Sequence, residues 1–204
     1  MLEILFDCDD ILIDTVPHWL NAIDEKFGIK KYITDVTDWD ITKSFSKEIL
    51  EGKITKECIH DVLSDDNYWR NISRIPKMYT LLRNLKIKYG DDIKLSILTA
   101  SHYHTIRSKM ERVLELYKGI FEWNDVIIAA RKGMIRGDIL IDDNFDNCHQ
   151  FTISNHGKTA LMRDRPYNIN RYNESVQINS IRTFSDVEAL EEMLETLIQL
   201  KLSK

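Results

Sequence analysis

The chain has 204 residues, 43% hydrophobic and 30% charged, with a net charge of −5. That length allows one domain with a sizeable core and a smaller subdomain, and the acidity argues against a broad nucleic-acid footprint while leaving room for a local basic pocket that holds one phosphate. Three cysteines without CxxC spacing (Cys8, Cys58, Cys148) speak against a disulfide framework or a zinc site.

No basic-then-apolar leader opens the sequence and no apolar run approaches roughly 20 residues, so a cytoplasmic protein away from the membrane is expected.

The first element, Leu2 to Phe6, reads as a buried parallel strand that ends at Asp7. It runs straight into "DCDDILID", where Asp7, Asp9, Asp10 and Asp14 crowd together. Neighbouring carboxylates repel unless a cation or a shared proton relieves them, so this stretch is either a solvated turn or part of a metal site. A helix follows, with Pro17 near its start, Leu20, Ile23 and Phe27 on one face, and Gly28 at its end. From about 30 to 73 the chain turns polar, with short helical patterns at Ile49-Leu50 and at Ile59, Val62 and Leu63. This reads as a helical insert between two parts of a sheet.

Pro76 opens a helix with Met78, Leu81, Leu82 and Leu85 on its face, closed by Gly90. "KLSILTAS" predicts a strand leading directly into a helix whose face is Ile106, Met110, Val113 and Leu114. "DVIIAA", "DILIDDN" and "KTALM" predict three further strands. The last helix is expected to start at a capping box of Ser185 with Glu188 and to bury Leu190, Met193, Leu194, Leu197 and Ile198. Strands alternating with helices predict an α/β fold, a doubly wound parallel sheet covered on both faces.

In such a sheet ligands gather at the carboxyl ends of the strands. There the sequence places Asp7-Cys8-Asp9, Thr99-Ala100-Ser101 and Asp142-Asp143, with Lys132 after the third strand. Each motif alone is ordinary: a turn, a helix cap, a loop start, a surface lysine. Four of them at one rim suit a magnesium ion and a phosphate, because magnesium takes one or two carboxylates plus a phosphate oxygen and a lysine meets the remaining phosphate charge. A helix beginning at Ser101 would add backbone N–H groups for the phosphate.

In this order the motifs resemble the haloacid dehalogenase superfamily of phosphohydrolases. "DCD" is similar to its DxD motif, Thr99 in "ILTAS" to its hydroxyl motif, Lys132 to its lysine and "LIDD" to its acidic pair. "YWRNISRIPKMYTLLRNL", "RKGMIRGDILIDDN" and "DRPYN" are similar to segments of the 5'(3')-deoxyribonucleotidases. The chain departs from the superfamily at Asp10-Ile11, where Gly followed by Thr or Val is common.

The resemblance implies a haloacid dehalogenase-like core at 1–15 and 75–204 with a helical cap at 16–74. It implies that Asp7 is the nucleophile and that Asp9 exchanges the proton with the leaving oxygen and then with water. Asp7, the Asp9 backbone carbonyl, Asp142 and Asp143 would hold Mg²⁺, and Thr99, Ala100, Ser101 and Lys132 the phosphate. The expected substrate is a small phosphomonoester, a nucleoside or deoxynucleoside monophosphate, with Trp39, Tyr68 and Trp69 of the cap as candidates to stack on its base. No role is assigned to His102 or His104, and Arg163 and Arg165 are left between substrate contact and carboxylate pairing.

Two other readings stand beside this one. A phosphatase of another small metabolite or of a nucleic-acid 3'-phosphate end uses the same motifs, but ends of nucleic acids call for a basic groove. A phosphoaspartate receiver domain places its lysine after the acidic residues and has no place for the insert. The oligomeric state is left open, a homodimer included.

Overall fold

In a computed structural model the protein is described over residues 1–101, 103–168 and 180–203. Six strands form one parallel sheet in the order β3-β2-β1-β4-β5-β6. They are β1 (Leu2–Phe6), β2 (Ile93–Thr99), β3 (Val126–Ile128), β4 (Ile139–Asp142), β5 (Thr159–Arg163) and β6 (Ile181–Phe184). The longer helices are α1 (Thr15–Phe27), α5 (Met78–Tyr89), α6 (Ile106–Leu116), α7 (Phe145–Ser154) and α8 (Val187–Leu202), with short helices α2 (Ser46–Leu50), α3 (Lys56–Asp61) and α4 (Asp66–Asn71) in the insert. No helix among the described residues is long and apolar enough to cross a membrane.

Side chains of a strand alternate between faces, and the core divides accordingly. Ile4 and Phe6 of β1, Ile97 of β2 and Ile141 of β4 join one apolar cluster with Leu82 of α5, Met110 of α6 and Leu194 of α8. Leu5, Leu98, Leu140 and Met162 point the other way, onto Phe145, Cys148 and Phe151 of α7. The first cluster continues without a break into the insert through Trp19, Phe45, Ile59 and Trp69. The chain leaves the sheet side and returns to it at one strip: Asp14 N donates to Ser73 O (3.0 Å) and Ile75 N to Leu12 O (2.8 Å).

The structure departs from two expectations and adds one element. Ser101 does not begin a helix; α6 starts at Ile106 and Ser101 lies in the loop before it. The last helix is capped by Asp186, whose Oδ1 accepts from Ala189 N (2.9 Å) while Ser185 donates to the same carboxylate and Glu188 pairs with Lys77. A carboxylate both accepts the free amide and meets the positive end of the helix dipole, so it displaces the serine. The sixth strand, β6, has no forerunner in the sequence reading, because its buried residues Ile181 and Phe184 are three apart and Arg182 between them is exposed.

Candidate active site

The site forms where β1, β2 and β4 end. β1 lies between β2 and β4, with Phe6 opposite Ile97 and Ile141, so Asp7, Thr99 and Asp142 arrive at the same rim although far apart in the chain. Asp7 N donates to Ile141 O (2.8 Å), which fixes the nucleophile candidate against β4. Oxygen atoms of Asp7, Asp142 and Asp143, all buried, lie within 4.8 Å of one another.

Lys132 is 3% exposed, and its Nζ lies 2.6 Å from Asp7 Oδ1 and 2.8 Å from Asp142 Oδ2. Its short 3-10 turn (Lys132–Met134) is pressed on α7 at Gly133, where a Cβ would sit 2.8 Å from Gln150 Cβ, so only glycine lets the lysine reach the rim.

The electrostatics are those of a site with too much buried acid. Burial pushes the Asp7 carboxyl up to about 7; Lys132 opposes this, and Asp142 and Asp9 add to it. Asp143 is raised well above the carboxylate range, again by burial first and then by Asp10, Asp142 and Asp7. Burial works against the charge of Lys132, but Asp142 and Asp7 outweigh it and hold the ammonium above its usual range.

Asp142 is saturated by the protein: besides Lys132 it accepts from Asn144 N (2.8 Å) and Asn147 Nδ2 (3.2 Å). Asp143 is not. Its Oδ2 accepts from Tyr167 Oη (2.5 Å), while its Oδ1 is buried with no partner among the described residues. A buried carboxylate oxygen without a donor is costly, and a divalent cation among the three carboxylates would relieve it. The donor set, all hard oxygen, fits that ion.

Asp9 stands apart from this cluster. Its Oδ1 accepts from Thr15 Oγ1 (2.8 Å) and its Oδ2 from Lys109, a residue of α6. Thr99 is fully buried with its Oγ1 3.4 Å from Lys109 Nζ. Asp10 is buried at φ 51°, a left-handed conformation that glycine adopts freely and aspartate tolerates. Its carboxylate lies 3.4 Å from Arg165 and accepts from Val16 N (3.3 Å), and its carbonyl accepts from Arg163 (2.5 Å). Both arginines therefore serve Asp10.

Above the rim lies a cavity of about 760 Å³. The sheet side contributes Asp9, Asp10, Ala100, Ser101, Lys109, Asp143 and Tyr167, and the insert contributes Trp19, Trp39, His60 and Trp69. Trp39 is 54% exposed and meets the Tyr167 ring edge-on at 5.5 Å, and Trp69 packs at 4.9 Å against Tyr68. Tyr68 does not line this cavity. It is buried with its hydroxyl on Thr15 O (2.9 Å) and its ring 4.7 Å from His18. His104 lines the cavity, and His102 lies outside the described residues.

Sequence reasoning missed Lys109, Tyr167 and Asn168, whose Nδ2 donates to Asp143 O (2.6 Å). A signal for Lys109 was there: it occupies the apolar stripe of Ile106, Met110 and Val113 at helical spacing.

A model of the "5' nucleotidase, deoxy (Pyrimidine), cytosolic type C protein" family matches residues 1–182. The chain belongs to this family. It is 28% identical to the 5'(3')-deoxyribonucleotidase of Clostridium acetobutylicum over 148 residues, 71% of this chain and 74% of that protein. To the 5'(3')-deoxyribonucleotidase of Bacillus subtilis it is 27% identical over 170 residues, 82% of this chain and 87% of that one.

Among solved structures it resembles a haloacid dehalogenase-like family hydrolase from Xanthomonas campestris (TM-score 0.57, 12% identity, covering 100% of this chain and 99% of that one). It also resembles D,D-heptose 1,7-bisphosphate phosphatase from B. bronchiseptica, solved with magnesium and phosphate (TM-score 0.55, 8% identity, 96% and 99%). The structural likenesses carry the fold, and the family and its relatives carry the class. The protein is a phosphatase of this nucleotidase family on a haloacid dehalogenase-like fold, as its motifs led one to expect.

Proposed function

We propose that the protein is a magnesium-dependent phosphomonoesterase that releases phosphate from deoxynucleoside monophosphates, and from ribonucleoside monophosphates less readily, through a phosphorylated Asp7. The observation that carries this reading is the meeting of Asp7, Asp142, Asp143 and Lys132 at one rim, beneath a cavity walled by tryptophans. The names of the relatives supply the substrate class.

Asp7, Asp143 and the backbone carbonyl of Asp9 would hold the ion, with Asp142, already saturated by protein donors, acting directly or through a water. Bound there, magnesium supplies positive charge to the phosphoryl oxygens. Asp7 attacks phosphorus in line; Asp9 protonates the leaving sugar oxygen, then takes a proton from the water that frees Asp7. Lys132 balances the charge gathered on the phosphoryl group, with Thr99, Ala100 and Ser101 around it.

The insert, 16–74, serves as a cap that excludes water, and Trp39 and Trp69 offer faces for the base.

The test is phosphate release from deoxyribo- and ribonucleoside monophosphates and from sugar phosphates, with magnesium and with a chelator. Magnesium-dependent release that favours dUMP or dTMP is expected. Activity on sugar phosphates alone would overturn the substrate, and full activity in chelator would overturn the metal.

A further inference from the structure

Lys109 is 1% exposed on the apolar face of α6. Its Nζ donates to Asp9 Oδ2 and to Thr99 Oγ1, and lies 4.9 Å from the centroid of the Trp69 ring. Burying an ammonium is expensive, and a methionine would fill the same space without that cost. The simplest explanation, a counter-ion for a buried acid, does not fit its partner. The Asp9 side chain is 32% exposed, so water could hydrate it without any lysine. The fold instead brings a fully buried cation to a carboxylate that did not need one for solvation. The second oxygen of Asp9 is held as well, by Thr15 at the start of α1.

We propose that Lys109 is the positioning residue for Asp9. With Thr15 it fixes both carboxyl oxygens, so that the proton passes between Asp9 and the leaving oxygen from a single geometry. The inference rests on the phosphatase reading, in which the P–O ester bond breaks as the Asp7–phosphorus bond forms. The Asp9 proton goes to the departing oxygen, and water restores it when phosphate leaves Asp7. Lys109 keeps its own protons throughout. Trp69 stacks on the ammonium from the insert and, with Thr99, holds it in place.

The test compares leaving groups. A nucleoside departs as an alkoxide that needs a proton, whereas p-nitrophenolate departs without one. In the intact protein, Lys109→Met is expected to lower kcat/KM for a deoxynucleoside monophosphate about 30-fold with little change in KM, and kcat/KM for p-nitrophenyl phosphate by less than about threefold, because kcat/KM covers the steps through leaving-group departure and not the hydrolysis of phosphorylated Asp7 that both substrates share. Lys109→Arg should recover part of the loss, and Thr15→Val should give the same pattern more weakly.

Equal loss on both substrates, a rise in KM alone, or no loss would overturn the inference while leaving the phosphatase reading intact. A wild-type protein that acts on neither substrate would overturn both. If Lys109→Met fails to fold, the Thr15→Val pattern decides.

Discussion

At the amino rim of the sheet, Asp138 accepts from Lys158 (2.5 Å) and from Glu3 N (2.8 Å), while Glu3 in turn meets Lys94 (3.3 Å) and Ser96 (2.8 Å). At the carboxyl rim, Asp7, Asp10, Asp142 and Asp143 are buried around Lys132 and Arg165, and one oxygen of Asp143 has no donor among the described residues. Both rims thus pair acids with bases. The first is half-solvated and balanced, which is how strand ends are tied together at little cost. The second is buried beneath a cavity and carries more acid than base. Buried imbalance, rather than the mere presence of charged pairs, separates a site from a surface.

The contrast can be broken most forcefully at Asp7, the proposed nucleophile. Asp7→Asn is expected to lower phosphate release by about 10³-fold or more with the fold preserved, read by steady-state assay together with circular dichroism. Near-full activity would refute its role.

Next is the lysine. Lys132→Met strands two buried carboxylates and should cost about 3–5 kcal/mol in urea unfolding, with part of the loss regained on adding magnesium. A loss below about 1 kcal/mol would place this rim in the same class as the other.

Tyr167→Phe removes the donor that orients Asp143 and should weaken magnesium binding by about 10- to 100-fold, followed by calorimetry in the absence of substrate. An unchanged affinity would exclude Asp143 as a direct ligand.

The smallest effect is expected at the amino rim. Asp138→Asn should cost less than about 1 kcal/mol of stability and leave turnover unchanged. Burial raises the pKa of Asp138, but the Lys158 ammonium and the Glu3 amide outweigh it and hold the carboxyl below its usual range. Its contribution is therefore whole above about pH 4 and fades as pH falls through the depressed folded-state value. Stability curves of the wild type and the variant should converge on acidification, and curves that stay parallel would refute this.

The residues readable from sequence are those whose place follows from the strand itself. Asp7, Thr99 and Asp142 stand directly at the ends of apolar runs, so strand direction alone delivers them to one rim. Lys132 was readable from its position between β3 and β4. Lys109 left a signal, its place in an apolar stripe at helical spacing, but the carboxylate it meets is set by how α6 packs and not by that stripe. Tyr167 and Asn168 were hidden for another reason: they reach Asp143 from a loop after β5 whose path no local pattern encodes. The insert's aromatics divide similarly, since nothing in "YW" tells that Trp69 lines the cavity and Tyr68 does not. Asp10 shows the reverse case. A position where glycine is common in the superfamily proves to be left-handed, and aspartate accepts the strain while gaining contacts to Arg165 and Val16.

The central seat of β1 sets a timetable for synthesis. This strand leaves the ribosome before either of its hydrogen-bonded neighbours, of which one begins at Ile93 and the other ends at Asp142. Until both have emerged, Asp7 has neither its lysine nor its companion carboxylates. A partly made chain therefore lacks the assembled acidic rim, and pairings across so long a stretch of chain form slowly.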